Sequence, residues 1–104
     1  MDDFDDCPEF VAPEGAFVRE MPIINKKGLH ARATAKFVQM AGAFDADVTV
    51  TRCGETVGAT SIMGILTLGA GIGSTIMVAA TGAQATEALD ALEGLVSDKF
   101  GEGE

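Results

Sequence analysis

Tryptophan and tyrosine are absent from this chain, histidine occurs once and cysteine twice. Six phenylalanines are the whole aromatic complement, which leaves few anchors to line a small-molecule pocket. A single His and two Cys in unrelated settings, Cys7 in an acidic tail and Cys53 at a turn, make no metal-ligand pattern, so no metal is expected. A disulfide between them is conceivable, but a thiol pair in a cytoplasmic protein usually stays reduced, and both cysteines are read as incidental. No apolar run approaches the ~20 residues of a membrane helix, so membrane insertion is not expected. The N-terminus is acidic where a secretory signal would be basic, and cytoplasmic residence is the default expectation.

Basic residues are also scarce: seven Lys and Arg stand against 16 Asp and Glu, for a formal charge of −9. Phosphate backbones need clustered cations, which speaks against nucleic acid as a partner. The acids are unevenly spread. Asp2, Asp3, Asp5, Asp6, Glu9 and Glu14 fall before the first basic residue, among Pro8, Pro13 and Gly15. Residues 1–15 therefore read as a flexible acidic extension, with Phe4, Phe10 and Val11 as its docking points. Residues 16–104 read as one domain, since 104 residues do not hold two cores.

Within that domain, hydrophobic period assigns the elements. Residues 17–24 read as a strand, and Pro22, which has no N–H to give a ladder, places it at a sheet edge. Residues 31–42 read as a helix, with Ala33, Phe37, Met40 and Ala41 on one face and Gly42 at its end. Asp47–Arg52 alternates as a half-buried strand, turns at Cys53–Gly54 and returns over 55–59. Residues 61–68 form a short helix behind a Thr60–Ser61 cap signal. Residues 74–80 form a strand with Ile76 and Val78 on one face. Residues 83–99 form a last helix, striped by Ala85, Ala88, Leu89, Leu92, Leu95 and Val96. The predicted class is α+β: an antiparallel sheet of four strands in βαββαβα order, with three helices on one face.

The chemistry concentrates at His30, which follows Gly28–Leu29 and stands at the start of a helix. A helix start offers unpaired N–H groups and partial positive charge, so it favours an anion. Arg32 adds a planar fork of donors suited to phosphate, and Gly28 lets the chain turn closely into the helix. Neutral imidazole has a lone pair and acts as a nucleophile without a separate base. The loop Gly69–Gly73 lacks the Lys-Ser/Thr of a nucleotide loop and leads into a strand, so it reads as a turn. No carboxylate pair stands out as an acid–base couple, and Asp45 and Asp47 read as solvated. The chain thus has a nucleophile and a phosphate cradle, but no evident machinery for turnover.

Gly28-Leu29-His30-Ala31-Arg32-Ala33 resembles the active-site signature of the HPr phosphocarriers of the phosphoenolpyruvate-dependent phosphotransferase system. The stretch from Thr60 to Gly69 resembles that family's regulatory-serine segment, and the likeness covers about residues 17–100. The resemblance implies an open-faced β-sandwich and a phosphocarrier that is a substrate of phosphotransferases, not an enzyme, with no cofactor. It implies that His30 takes a phosphoryl group on Nδ1 (pros-phosphohistidine) from enzyme I and gives it to a IIA-type protein. Arg32 would contact the phosphoryl group, with Gly28 and Ala31 completing its binding site. Ser61 would be the target of an HPr kinase/phosphorylase where one exists. Ala31, Ala35, Ile62, Met63 and Leu66 would frame a docking patch for partners, and the protein would be a monomer.

One position departs from the family. Ala33 stands where proline is usual, which removes a preset helix start but keeps a strong helix former. Two roles remain open within the carrier reading: sugar uptake, and a nitrogen- or carbon-linked regulatory branch, towards which Ala33 and the acidic extension lean. Other readings are a small-molecule-binding regulatory domain, with His30 as a ligand contact, and a docking scaffold without phosphotransfer.

Overall fold

The structure, a computed structural model, describes residues 8–102. The elements are β1 (Phe17–Pro22), α1 (Ala31–Ala41), β2 (Asp47–Arg52), β3 (Glu55–Gly58), α2 (Ile62–Thr67), β4 (Thr75–Thr81) and α3 (Ala85–Ser97). A turn of 3-10 helix, Lys99–Gly101, follows. The strands pair antiparallel in the order β1-β4-β2-β3, the four-stranded α+β layout the sequence implies. Pro22 stands opposite Thr75 at the end of β1, and β1 is indeed an edge strand. It stops two residues short of the predicted Ile24: Ile23 still donates to Ser74 O at 2.8 Å and accepts from Gly73 N–H at 2.9 Å, but Gly73, at φ 90, ends the regular register.

Alternation builds the core. Val48 and Val50 of β2 and Ile76, Val78 and Ala80 of β4 point to one side and are buried. Against them lie Ala33, Phe37 and Ala41 of α1, Ile65 of α2, and Ala88, Leu89, Leu92 and Val96 of α3. Met40 and Leu95, read as part of these stripes, are only partly buried at the margin. The β2–β3 hairpin turns through Cys53 (φ 51) and Gly54 (φ 86). Positive φ at both central residues matches the right-handed twist of the strands, which explains glycine at the second. Gly42 caps α1 at φ −73, in the right-handed region and not the left-handed one expected of a terminal glycine.

The opposite face of the sheet is partly covered. Thr51 and Ala79 are buried there, and Pro8, Glu9, Phe10 and Val11 run beside Thr51, Gly54 and Thr56. Phe10 is half-buried, while Val11 stays exposed. Asp2, Asp3, Phe4, Asp5, Asp6 and Cys7 lie outside the described residues. Cys53 is disulfide-bonded, so it is not the incidental thiol the sequence suggested.

The last helix also ends earlier than predicted. It stops at Ser97 in place of residue 99, and Lys99, Phe100 and Gly101 take φ of 55, 57 and 74. The turn drives Phe100 into the core at 1% exposure. Burying a phenylalanine gains about 1.5–3 kcal/mol. That offsets a large part of the cost of two left-handed non-glycine residues, Lys99 and Phe100, at roughly 1–2 kcal/mol each. Lys36 Nζ donates to the Phe100 carbonyl at 2.6 Å and holds the turn from the α1 side.

Candidate functional site

The loop before α1 is fixed by its own backbone. Gly28 N–H donates to Asn25 O at 3.1 Å, and Asn25 Nδ2 donates to Gly28 O at 2.9 Å. Leu29 N–H donates to Ala70 O at 2.8 Å, tying this loop to the glycine-rich turn before β4. Gly28 has φ +66, and a Cβ on it would stand 2.6 Å from Ala70 O and 2.7 Å from Gly71 Cα. Both the backbone angle and the space require glycine there. The Gly69–Gly73 turn therefore supports the His30 loop, and no helix follows it.

His30 is the N-cap of α1, with extended backbone at φ −76 and ψ 179. Its carbonyl accepts the first helical bond, from Thr34 N–H at 2.8 Å. Its side chain caps as well: Nδ1 accepts from Arg32 N–H at 3.3 Å. An imidazole thus does what Ser or Asp usually does at this position. Below it, Thr34 is fully buried and donates through Oγ1 to Leu29 O at 3.1 Å, fastening the first turn to the loop. The Arg32 guanidinium is exposed and bonds no side chain or carbonyl among the described residues. The site therefore combines a half-buried imidazole, a helix N-terminus and an uncommitted guanidinium, which suits an oxyanion.

A residue that sequence reasoning missed completes the ring. The Glu102 carboxylate meets His30 Nε2 through one oxygen and accepts from Asn25 Nδ2 at 3.1 Å through the other. The hydrogen bond from His30, then that from Asn25, hold the Glu102 carboxyl below its ordinary range, and the charge of Lys27 adds to this. Asn25 is fully buried, and its Oδ1 has no hydrogen-bond partner among the described residues. Among those residues no group of His, Cys, Asp or Glu could hold a metal ion.

The other candidate residues lie on neighbouring helices. Ala31 and Ala35 are exposed on α1, which packs against α2. Ser61 is the N-cap of α2, its Oγ accepting from Gly64 N–H at 3.0 Å. Ile62 and Met63 are exposed at 43% and 70%, and Leu66 is half-buried, while Ile65 supplies the helix's core contact. Of the four apolar residues from Ile62 to Leu66, the short helix buries only Ile65 fully.

A four-stranded open-faced sandwich with an imidazole and an arginine at the first helix start defines a class of small phosphocarrier domains. Residues 17–98 match the family model described as the PTS HPr component phosphorylation site. The chain belongs to the HPr family, whose members are phosphocarrier proteins and not enzymes. It is 52% identical over 86 residues to the phosphocarrier protein HPr of Cupriavidus necator, covering 83% of this chain and 97% of that one. Identity to the HPr of Pseudomonas aeruginosa is 48% over 86 residues, covering 82% and 96%. The solved HPr structure from Thermoanaerobacter tengcongensis superposes with a TM-score of 0.80 at 42% identity, covering 83% and 97%. No helix among the described residues is long and apolar enough to cross a membrane.

Proposed function

We propose that His30 accepts a phosphoryl group on Nδ1 from enzyme I, charged by phosphoenolpyruvate, and passes it to a IIA-type protein. The observation that carries this reading is the hydrogen bond from Arg32 N–H to Nδ1. A nitrogen that accepts a hydrogen bond holds a lone pair and no proton. That lone pair forms the N–P bond while the bond from phosphorus to the donor breaks and its electrons leave with the donor. Arg32 N–H then turns from the nitrogen to a phosphoryl oxygen, and the Arg32 guanidinium neutralises the transferred charge. The helix N-terminus stabilises the same charge, with the N–H of Ala31 beside it. Gly28 shapes this cradle through its loop, since its own N–H is engaged by Asn25. The reverse transfer returns the electron pair to Nδ1, so the protein is regenerated without a proton being moved.

Around this centre, Ala31 and Ala35 let a partner's active site approach, and Ile62, Met63 and Leu66 give it an apolar surface. Ser61 is the position where an HPr kinase/phosphorylase would act; a phosphate there places about two negative charges beside that surface. The protein works as a monomer in the cytoplasm, as domain 16–104 with an acidic extension at 1–15. The test is a relay: labelled phosphoenolpyruvate, enzyme I and a IIA protein, with and without this chain. Label on the IIA protein only when the chain is present supports the reading. Label stopping at enzyme I, with a known carrier as positive control, refutes it.

A further inference from the structure

The tail after α3 is built to reach His30. Phe100 anchors it in the core, Lys36 Nζ clamps the Phe100 carbonyl, and the left-handed run at Lys99, Phe100 and Gly101 turns the chain back. This brings Glu102 to a residue 72 positions away in sequence. Its carboxylate does not rest there by one contact alone. Asn25 Nδ2, on a fully buried side chain, holds the second oxygen at 3.1 Å, and the same Nδ2 holds the loop that presents His30.

The two ring nitrogens are thereby given opposite tasks. An ionised carboxylate only accepts, so Nε2 beside it must carry hydrogen. Arg32 N–H only donates, and its long 3.3 Å contact favours the lone pair on Nδ1 without fixing it alone. We infer that Glu102 is a positioning residue that fixes the Nε2–H tautomer of His30 and so selects Nδ1 as the phosphoryl acceptor. This rests on the carrier function proposed above and deepens it. The other partner of a histidine commonly decides which nitrogen reacts.

The same carboxylate serves the loaded state. When Nδ1 spends its lone pair on phosphorus, the proton on Nε2 stays where it is and the ring gains positive charge. Glu102 lies against that proton and balances the charge, while Arg32 and the helix start face the phosphoryl group at the other nitrogen. Acceptor and counter-ion therefore act from opposite sides of one ring. A carboxylate is an odd neighbour for an incoming phosphoryl group unless it sits on the nitrogen that does not react.

The experiment compares the full chain with Glu102→Ala, Glu102→Gln and a truncation after Gly101, each with ring-labelled histidine. Ring nitrogen spectra of neutral His30 report the tautomer directly. Wild type is expected to show Nε2–H alone, and Glu102→Ala and the truncation a mixture. Glu102→Gln should lie between, since its carbonyl oxygen still accepts from Nε2–H. With enzyme I and phosphoenolpyruvate, loss of a charge-assisted hydrogen bond should slow phosphorylation of Glu102→Ala on the order of tenfold. Its phosphohistidine should also include some Nε2 product. Amide spectra unchanged away from the site identify these as effects on the ring and not on folding. Wild-type phosphorylation with an unaltered tautomer and rate in Glu102→Ala would overturn the inference and leave the carrier function standing. Faster phosphorylation of Glu102→Ala would also overturn it, by making the carboxylate a barrier. Failure of wild type itself to be phosphorylated would strike the carrier function instead.

Discussion

The backbone of Gly28 lies so close to that of Ala70 that an added Cβ would stand 2.6 Å from the Ala70 carbonyl oxygen. Leu29 N–H binds that same oxygen at 2.8 Å, so the loop that presents His30 is seated on the glycine-rich turn. Replacing Gly28 by alanine meets backbone on one side and a left-handed φ on the other. Gly28→Ala should lose at least about 2 kcal/mol of stability in urea unfolding. It should also slow phosphorylation more than the stability loss explains, because the cap geometry of His30 moves with the loop. Unchanged unfolding and unchanged phosphorylation would show that the loop does not depend on this contact.

Ser61 caps α2 through its hydroxyl, and a Cβ on Gly64 would fall 2.8 Å from that Oγ. Ser61→Ala should cost about 1 kcal/mol, the ordinary worth of such a cap. Ser61→Asp keeps an acceptor at the cap and should retain most of the stability, as measured by thermal unfolding. If the proposed docking surface is right, Ser61→Asp nonetheless slows the reaction with enzyme I, whereas Ser61→Ala leaves it near wild type.

Met63 is 70% exposed on the same helix. A side chain that contributes nothing to the core can be changed without loss of fold, so Met63→Glu should unfold within about 0.5 kcal/mol of wild type. Its encounter with enzyme I should weaken, seen as a raised KM with kcat little altered. A lowered kcat at unchanged KM would place Met63 in the chemistry and not in docking.

The Glu102 carboxyl is lowered from its ordinary value of 4.5 by His30 and Asn25. A carboxyl depressed in the folded state contributes stability above its unfolded value and loses it as pH falls through the folded one. The stability gap between wild type and Glu102→Gln should therefore close as pH drops below 4.5. Urea unfolding from pH 6 to pH 2.5 checks this. A gap that persists at the lowest pH would mean that Glu102 acts through packing and not through its charge.

The strands were legible where a local rule decides them. Asp47–Arg52 alternates, and Cys53–Gly54 can only be a tight turn, so the predicted β2 has the observed bounds. Pro22 signalled the edge position because it has no N–H to offer. That His30 and Arg32 stand at a helix start was legible because the helical period begins directly after His30. The end of α3 was not legible. Ser97, Asp98 and Lys99 contain no helix breaker, and Phe100 continues an apolar pattern. What stops the helix is the core, which draws Phe100 inward at the cost of left-handed backbone. Glu102 was invisible for a related reason. Its approach to His30 depends on that turn, and only Gly101 hinted that the chain changes direction there. Buried Asn25 was not legible either, since nothing local shows that two structures hang from its Nδ2.

The most direct test of the account is the intact mass of the purified chain after incubation with enzyme I, magnesium and phosphoenolpyruvate, beside His30→Ala. The account predicts one added phosphoryl group in wild type, lost on acid treatment as a phosphorus–nitrogen bond is, and none in the variant. An added group that survives acid or persists in His30→Ala would contradict it, as would no added group when enzyme I is shown to charge another carrier.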